Sequence, residues 1–233
     1  MIIDCIADLH GRIPKLKGGD LLIVGGDLTA RDTLEQHSDF LEWLCQQNYQ
    51  EKVLIPGNHD NFLKENPNFY SKTNIHYLVD SGINFIKWNL KVWGSPWTPW
   101  FHGVNPRCKA YMKKDKELAK YWEKIPQDTD ILITHGPPFG MLDKTTDGIY
   151  AGSKTLADKL LELELKFHIF GHIHEANGQC HQAYEEYSAA CPDGACDGTT
   201  IPWGHLSINC SYVNADYEPV NKPVRIDYEL EGV

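Results

Sequence analysis

The pattern of apolar and polar positions predicts short buried strands that alternate with helices. Mainly apolar runs of strand length occur at 2–6, 21–24, 53–55, 131–133 and 167–170, interrupted only by Asp4 and His168. Between the second and third runs, apolar residues recur at helical spacing from Asp32 to Gln47, and Asp32 or Thr33 is the expected N-cap. A strand, a helix and a strand at this spacing predict a parallel βαβ unit with a right-handed crossover.

The remaining pattern predicts shorter elements. Strands are expected at 75–79, 83–86 and 90–93, and a charged surface helix is expected over 107–124. Ser153 is the expected cap of a helix that carries Leu156 and Leu160. Residues 206–210 and 224–230 are expected to pair as a final hairpin, after a long loop over 179–204. Long loops in compact domains are often functional.

Size and composition fit one α/β domain over residues 1–233. The 42% hydrophobic fraction is ordinary for a globular protein, and no run reaches the roughly 18 apolar residues of a membrane span. The first strand follows the initiating methionine without a signal peptide, so we expect a cytoplasmic protein. An odd count of seven cysteines fits reduced thiols better than a disulfide framework.

The formal net charge of −10 makes nucleic acid an improbable partner, because phosphate backbones are bound by lysine and arginine. A small phosphorylated substrate is still compatible with this charge. Part of the negative charge falls on candidate metal ligands, so the site itself would be less acidic with metal bound.

Five short segments end in residues that bind metals. In chain order they are D-L-H at 8–10, G-D at 26–27, G-N-H-D at 57–60, T-H-G at 134–136 and G-H-I-H at 171–174. Most of them follow an apolar run, which places them at the carboxyl ends of predicted strands. Carboxylate and amide oxygens together with imidazole nitrogens suit two divalent metals that share a bridging ligand.

The spacing within these segments suggests how the ligands divide. Asp8 and His10 are two residues apart, so on an extended backbone their side chains point to the same side. The Asp27 carboxylate could bridge two ions, and the neutral amide of Asn58 limits the negative charge around them. Glycines beside the ligands allow sharp turns and close approach of the backbone.

This ordered series, from Asp8 to His174, resembles the calcineurin-like metallophosphoesterases. Three stretches resemble a narrower branch, the metallophosphoesterase-domain-containing, brain 239-type phosphodiesterases; they are G-S-P-W-T-P-W-F at 94–101, T-H-G-P-P at 134–138 and G-H-I-H-E at 171–175. The resemblance implies a four-layer α/β/β/α sandwich with the metals at the strand ends. One ion would be held by Asp8, His10, Asp27 and His174, and the other by Asp27, Asn58, His135 and His172.

The resemblance also implies roles around the phosphate. Asn58 and His59 would contact the substrate, and His59 would protonate the leaving oxygen. Asp60 would orient His59, although it could instead only cap the next helix. A hydroxide shared by the two ions would attack phosphorus in line.

One segment departs from the phosphoprotein phosphatases, which carry G-D-x-V-D-R-G after the second strand. Arg31 falls on the arginine position, but the flanking aspartate and glycine are missing. The G-D-L-T form is more similar to cyclic-nucleotide and related diesterases. Arg31 is therefore either a phosphate contact or a solvated residue at the start of a helix.

Two further groups have open interpretations. Trp97, Trp100 and Phe101 could face the substrate or anchor a loop by packing. A second group could form a zinc site or a disulfide, but its spacing does not match the usual C-x2-C pair of a zinc site, and free thiols are favoured over both. That group comprises Cys180, His181, Cys191, Cys196 and His205.

These observations favour a dinuclear metal-dependent phosphodiesterase acting on small diesters such as 2′,3′- or 3′,5′-cyclic nucleotides. The alternatives are a phosphomonoesterase of nucleotides or phosphoproteins, and a non-catalytic metal-binding scaffold. A complete ligand set favours the enzyme, because a decayed site usually loses a ligand or the outer histidine. Mn²⁺ is the preferred metal, and Fe, Zn²⁺, Ni²⁺ or Co²⁺ are compatible with the same ligands.

Overall fold

A computed structural model describes residues 1–72, 74–101, 107–183 and 204–230. The strands are β1 (Ile2–Ile6), β2 (Gly19–Val24), β3 (Tyr49–Leu54), β4 (Ile75–Tyr77), β5 (Ser81–Phe85), β6 (Leu90–Ser95), β7 (Thr98–Pro99), β8 (Met112–Lys113), β9 (Ile131–Thr134), β10 (Phe167–Phe170), β11 (Gly178–Ala183), β12 (Gly204–Asn209) and β13 (Val224–Asp227). The α-helices are α1 (Leu34–Gln46), α2 (Asn61–Glu65), α3 (Asp115–Trp122) and α4 (Lys154–Leu160). Short 3₁₀ turns lie at Ile86–Trp88 and His174–Ala176.

Eleven of these strands form two mixed sheets. The first has the order β13-β1-β2-β3-β4, in which β1 to β4 run parallel and β13 pairs antiparallel with β1. The second has the order β11-β12-β10-β9-β6-β5, with antiparallel strands at both edges and parallel strands between them. Parallel neighbours end at the same edge of their sheet, so the loops after them lie together.

The burial pattern separates four layers. On β1, Ile3 and Cys5 face the other sheet, and Ile133 and Ile169 of the second sheet belong to the same apolar cluster. Alternate positions point outward, because successive side chains of a strand face opposite sides. The outward residue Leu22 packs with α1 in a second cluster, and the outward residue Leu132 packs with α3 and α4 in a third. The expected four-layer α/β/β/α sandwich is therefore confirmed.

Both predicted helix caps are present, but one predicted helix is too long. Thr33 accepts a hydrogen bond from the N–H of Gln36, and Ser153 accepts one from the N–H of Leu156. The helix expected over 107–124 begins only at Asp115, because Met112–Lys113 forms β8 and pairs with β7. Pairing with a strand distant in sequence overrides the local helical signal there.

The predicted C-terminal hairpin is wrong. β12 pairs with β10 in the second sheet, whereas β13 pairs with β1 in the first, so the two strands belong to different sheets. The start of the predicted loop over 179–204 is also a strand, since Gly178–Ala183 pairs antiparallel with β12. The rest of that loop lies outside the described residues, as do Cys191 and Cys196. No helix in the described ranges has the length and hydrophobicity needed to cross a bilayer.

Candidate metal centre

All seven predicted metal ligands converge at the carboxyl ends of strands from both sheets. The first sheet supplies Asp8 and His10 after β1, Asp27 after β2 and Asn58 after β3. The second sheet supplies His135 after β9, and His172 and His174 after β10. The site therefore lies at one edge of the sandwich, where the loops of the two sheets face each other.

The Asp27 carboxylate lies between two groups of ligands. Its Oδ2 atom is 3.6 Å from His10 Nε2 and 3.5 Å from His135 Nε2, and the Nε2 of His59 is 3.8 Å away. A carboxylate flanked by imidazoles on both sides has the placement that a bridging ligand requires. Asp27 is the one predicted ligand common to both groups, and its position agrees with that role.

The ligand atoms within each of the two groups beside Asp27 lie close together. On one side, His174 Nε2 lies 3.7 Å from Asp8 Oδ1 and 3.2 Å from His10 Nε2. On the other side, His135 Nε2 lies 2.9 Å from Asn58 Oδ1, and the His172 ring is centred 5.0 Å from the His135 ring. The ligand atoms of Asp8, His10 and His174 fall within 4.8 Å of one another, as do those of Asp8, Asp27 and His135.

Hydrogen bonds to backbone carbonyls orient several of the ligands, so that one possible metal-binding atom of each points into the site. His135 Nδ1 donates to the Gly25 carbonyl at 2.9 Å, which directs Nε2 toward Asn58 and Asp27, the side on which a metal would bind. His174 Nδ1 donates in the same way to the Asn214 carbonyl at 3.2 Å. The Asn58 amide nitrogen donates to the Cys108 carbonyl at 3.2 Å, which turns its oxygen toward His135.

A buried carboxylate oxygen indicates that these residues fit a cation. Asp8 Oδ2 accepts hydrogen bonds from Ser211 Oγ at 2.6 Å and from the His172 N–H at 2.8 Å, but Asp8 Oδ1 has no hydrogen-bond partner among the described residues. An unsatisfied buried carboxylate oxygen costs free energy, and a metal ion is a partner that removes the cost. Together with the converging imidazoles, the donor set fits divalent metals.

Backbone strain concentrates at the ligands. Asp8, His10, Asp27 and His172 have φ angles of 52°, 43°, 54° and 70°, in the left-handed region that residues other than glycine rarely occupy. The expectation that Asp8 and His10 share one side of an extended strand is therefore wrong, since β1 has ended at Ile6. Their side chains meet because both residues turn left-handed.

Two glycines leave room for the carboxylates. A Cβ atom added at Gly57 would lie 2.1 Å from Asp27 Oδ1, and one at Gly171 would lie 2.2 Å from Asp8 Oδ2. Both separations are far below van der Waals contact. These positions therefore need glycine for the close approach of the loops.

Burial and charge set the protonation of the ligands in opposite ways. Burial lowers the pKa of His10 to about 4 and of His172 to about 3, which keeps both rings in the neutral form that binds metals. Burial opposes charge at His135, but the Asp27 charge and hydrogen bond dominate and raise its pKa to about 9. A divalent cation beside Asp27 would replace the proton that this carboxylate attracts.

The structure places His59 at the site but gives Asp60 a different role from the predicted one. His59 is half-buried, with Nε2 toward Asp27 and Nδ1 3.3 Å from Cys108 Sγ. The fully buried Asp60 carboxylate accepts hydrogen bonds from the backbone N–H groups of Asp27, Leu28 and Gly57. Asp60 therefore ties the loops after β2 and β3 together and does not hold the His59 ring.

Asp60 is also not a hydrogen-bonding helix cap. It occupies the N-cap position of α2, but its side chain makes no capping bond there. Burial and the nearby charge of Asp27 raise the pKa of Asp60 to about 8, although its backbone donors oppose this shift. Its three bonds fix the spacing between the Asp27 and Asn58 loops.

Arg31 is exposed on the turn before α1, where its backbone N–H donates to Gln36 Oε1 at 2.7 Å. Its role as a phosphate contact stays a prediction. Trp97 is an anchor of its loop, because it stacks on Tyr121 and donates to Asp80 at 3.0 Å. Phe101 is 49% exposed and its ring is centred 6.3 Å from that of His172, so it can face a substrate.

Residues outside the ligand motifs complete the site. The Tyr217 ring lies edge-on to His10 and His174, with centroids 4.8 Å and 5.4 Å away, and is 46% exposed. Ser211 and Asn214, from the same C-terminal segment, bond Asp8 and His174. No local signal marks them, because they reach the site only through the tertiary pairing of β12 with β10.

Comparisons with known proteins agree with this geometry. A model of the calcineurin-like phosphoesterase family matches residues 1–176. Metallophosphoesterase domain-containing protein 1 of Homo sapiens is 31% identical over 96% of this chain and 69% of its own length. A probable rhamnogalacturonate lyase C of Emericella nidulans is 35% identical over 78% of this chain, but the match spans only 18% of that protein.

A solved structure shows the same fold. The protein TT1561 of Thermus thermophilus superposes with a TM-score of 0.54 over 79% of this chain and 85% of its own, at 15% identity. The family match covers the five ligand segments up to Ala176, and Asp and His side chains of these segments form clusters that could hold a metal ion. The chain therefore belongs to the calcineurin-like phosphoesterases, a family of metal-dependent enzymes that hydrolyse phosphoesters.

Proposed function

We propose that this protein is a dinuclear phosphodiesterase that hydrolyses small diesters such as cyclic nucleotides, with Mn²⁺ as the preferred metal. The observation that carries the proposal is the position of Asp27 between two groups of ligands, near Asp8 Oδ1, which has no hydrogen-bond partner among the described residues. Asp8, His10, Asp27 and His174 would hold one ion, and Asp27, Asn58, His135 and His172 would hold the other. When bound, the two ions supply Lewis acidity at the phosphate and an activated water nucleophile.

The protein's own groups would position the substrate and the proton. His59 is the half-buried group whose Nε2 faces the centre, so it would contact the phosphate and protonate the leaving oxygen. The amide of Asn58 is oriented by Cys108 and would also contact the phosphate. Exposed Phe101 and Tyr217 lie beside opposite groups of ligands and would cover the apolar parts of a substrate.

The segment after β2 supports a diester over a monoester. A phosphomonoester carries a second negative charge, for which phosphoprotein phosphatases use an arginine in this segment. Arg31 at that position is exposed, and its neighbours differ from the phosphatase motif. A diester monoanion has less need of a guanidinium. A cytoplasmic location and a nucleotide substrate are expectations that accompany this proposal.

A panel assay tests the proposal. The Mn²⁺-loaded protein should hydrolyse bis-p-nitrophenyl phosphate faster than p-nitrophenyl phosphate, and it should open cyclic nucleotides. Asn58→Ala, purified in parallel, should retain its circular dichroism spectrum and lose turnover, which excludes a contaminating phosphatase. A monoester rate well above the diester rate would instead identify a phosphomonoesterase. Absence of turnover on every substrate would favour the metal-binding scaffold.

A further inference from the structure

A cysteine contacts the proposed acid of the reaction. Cys108 Sγ lies 3.3 Å from His59 Nδ1, while Nε2 of the same ring faces Asp27 Oδ2 at 3.8 Å. Among the described residues, no other group lies within hydrogen-bond distance of His59 Nδ1. The acidic neighbour Asp60 is excluded from that place by its three bonds to backbone N–H groups.

Backbone bonds fix the position of Cys108 without its side chain. The Cys108 carbonyl accepts from the Asn58 amide nitrogen at 3.2 Å, and the Ala110 N–H donates to the Asn58 carbonyl at 3.1 Å. The Arg107 carbonyl accepts from the Asn61 amide nitrogen at 2.5 Å. The segment that carries Cys108 is thus attached to the loop that carries His59. Removal of the thiol should leave both in place.

We propose that Cys108 is a positioning residue, which holds the His59 imidazole with Nε2 directed into the site. This inference rests on the proposed function, in which His59 protonates the leaving oxygen. An imidazole ring has two orientations related by a half-turn, which exchanges Nδ1 with Cδ2 and Nε2 with Cε1. A partner for Nδ1 on one side of the ring selects one of the two.

A thiol can serve His59 in both of its protonation states. When the ring is an imidazolium, Nδ1–H donates to the sulfur, which is a weak acceptor. As the leaving group departs, the Nε2–H bond breaks, an O–H bond forms on the leaving oxygen, and the ring keeps its Nδ1–H. When Nε2 alone carries a proton, the S–H group can donate to Nδ1. The thiol gains and loses no proton in this sequence.

A neutral partner differs from the carboxylate predicted for this place. A carboxylate accepts only, and its charge would strengthen the hold of the ring on the proton that must be transferred. Burial raises the pKa of the Cys108 thiol, so the thiol is uncharged at neutral pH and adds no such charge. Cys108 would therefore orient His59 without opposing transfer of its proton.

Leaving-group kinetics test the inference. Cys108→Ala should lower turnover roughly 10-fold on diesters with alkyl leaving groups, as loss of an orienting partner does. The loss should be smaller on nitrophenyl diesters, which need little protonation, and Cys108→Ser should restore most of the rate. In a His59→Ala background, Cys108→Ala should have no further effect. Cys45→Ala removes an exposed thiol on α1 and should match the wild type.

The inference would be overturned if Cys108→Ala equalled the wild type on alkyl diesters, or if its loss added in full to that of His59→Ala. A second readout does not depend on turnover. Two-bond ¹H–¹⁵N spectra of the Zn²⁺-loaded protein should show a shift of His59 Nδ1 in Cys108→Ala and not in Cys108→Ser. Unchanged ¹⁵N shifts would contradict the contact. If the wild type had no turnover, the proposed function would be contradicted. The ¹⁵N spectra would then still decide whether Cys108 contacts His59.

Discussion

The interior between the sheets and the ligand end of the same strands differ in residue type and in backbone conformation. In the interior, Ile3, Ile23 and Ile133 are fully buried, alternate regularly with outward-facing residues and belong to one apolar cluster. A few residues further along the chain, Asp8 and Asp27 are equally buried, but they are charged and have left-handed backbones.

The difference separates what holds the fold from what performs the chemistry. Apolar burial stabilises the folded state, whereas buried carboxylates and strained φ angles oppose it. The ligand end persists because the loops are tied to a rigid interior and because Asp60 and Ser211 satisfy part of its polar groups. Changes in the two regions should therefore have separable effects on stability and on metal-dependent activity.

The largest effect is expected from Asp27→Asn, which removes the charge between the two groups of ligands. Turnover should fall by more than about 10³-fold, or about 4 kcal/mol of transition-state stabilisation, and elemental analysis should find less bound metal. Circular dichroism should stay close to the wild type. Asp4→Asn changes another buried carboxylate, in the middle of β1, which accepts two hydrogen bonds of 2.8 Å from Arg225, and this variant should keep its metals. Equal metal loss in both variants would show that metal binding does not depend specifically on the carboxylate at the ligand end.

Ile3→Ala should have the opposite profile. It leaves a cavity in the apolar interior and should lower the free energy of unfolding by about 2–5 kcal/mol, measured by urea denaturation. The folded fraction should still bind metal and retain turnover. Ile13→Ala makes the same change at a 53% exposed position and should cost less than about 0.5 kcal/mol. Loss of metal binding in folded Ile3→Ala would show that the interior and the site are not separable.

Ser211→Ala should have an intermediate effect confined to the ligand end. The hydroxyl lies 2.6 Å from Asp8 Oδ2, and loss of such an orienting partner typically costs about 10–100-fold in metal affinity or activity. Ser207→Ala removes another buried hydroxyl, on β12, which contacts Met141. Metal titrations should show that the affinity of Ser211→Ala is lower than that of Ser207→Ala by about this factor. Identical titrations would mean that Ser211 supports packing only.

The smallest effect concerns pH and a buried polar group outside the ligand set. Burial holds the pKa of His168 well below its usual range, and its Nε2 bonds Thr134 Oγ1 at 2.8 Å. Because the unfolded chain takes up this proton near pH 6.5 and the folded state does not, stability should fall as pH drops below that value. The expected loss is less than about 1 kcal/mol between pH 7 and pH 6. His168→Gln should lack that part of the pH dependence, and equal slopes in urea denaturation would refute the assignment.

The sequence predicted the parts of the site that local patterns encode. Apolar runs located the strands, and ligand residues directly after them located the metal centre, because parallel strands present their carboxyl ends together. Ser153 was identified as one cap and Asp32 or Thr33 as the other, since a cap depends on residues only three positions away.

Contacts between distant segments were not predictable in this way. The hairpin of β12 and β13 was expected because the two segments are neighbours in sequence, but each finds its partner in a different sheet. Cys108 and Asn214 reach the ligands only through such long-range pairing. The role of Asp60 was missed because its bonds go to backbone N–H groups, which leave no trace in side-chain identity.

Metal stoichiometry tests the central claim, that Asp27 joins two metal sites. Purified protein titrated with Mn²⁺ and freed of unbound metal should contain two ions per chain by elemental analysis. Asn58→Ala should retain fewer, since it removes a ligand from only one group. Saturation of the wild type at a single ion per chain would contradict the dinuclear account.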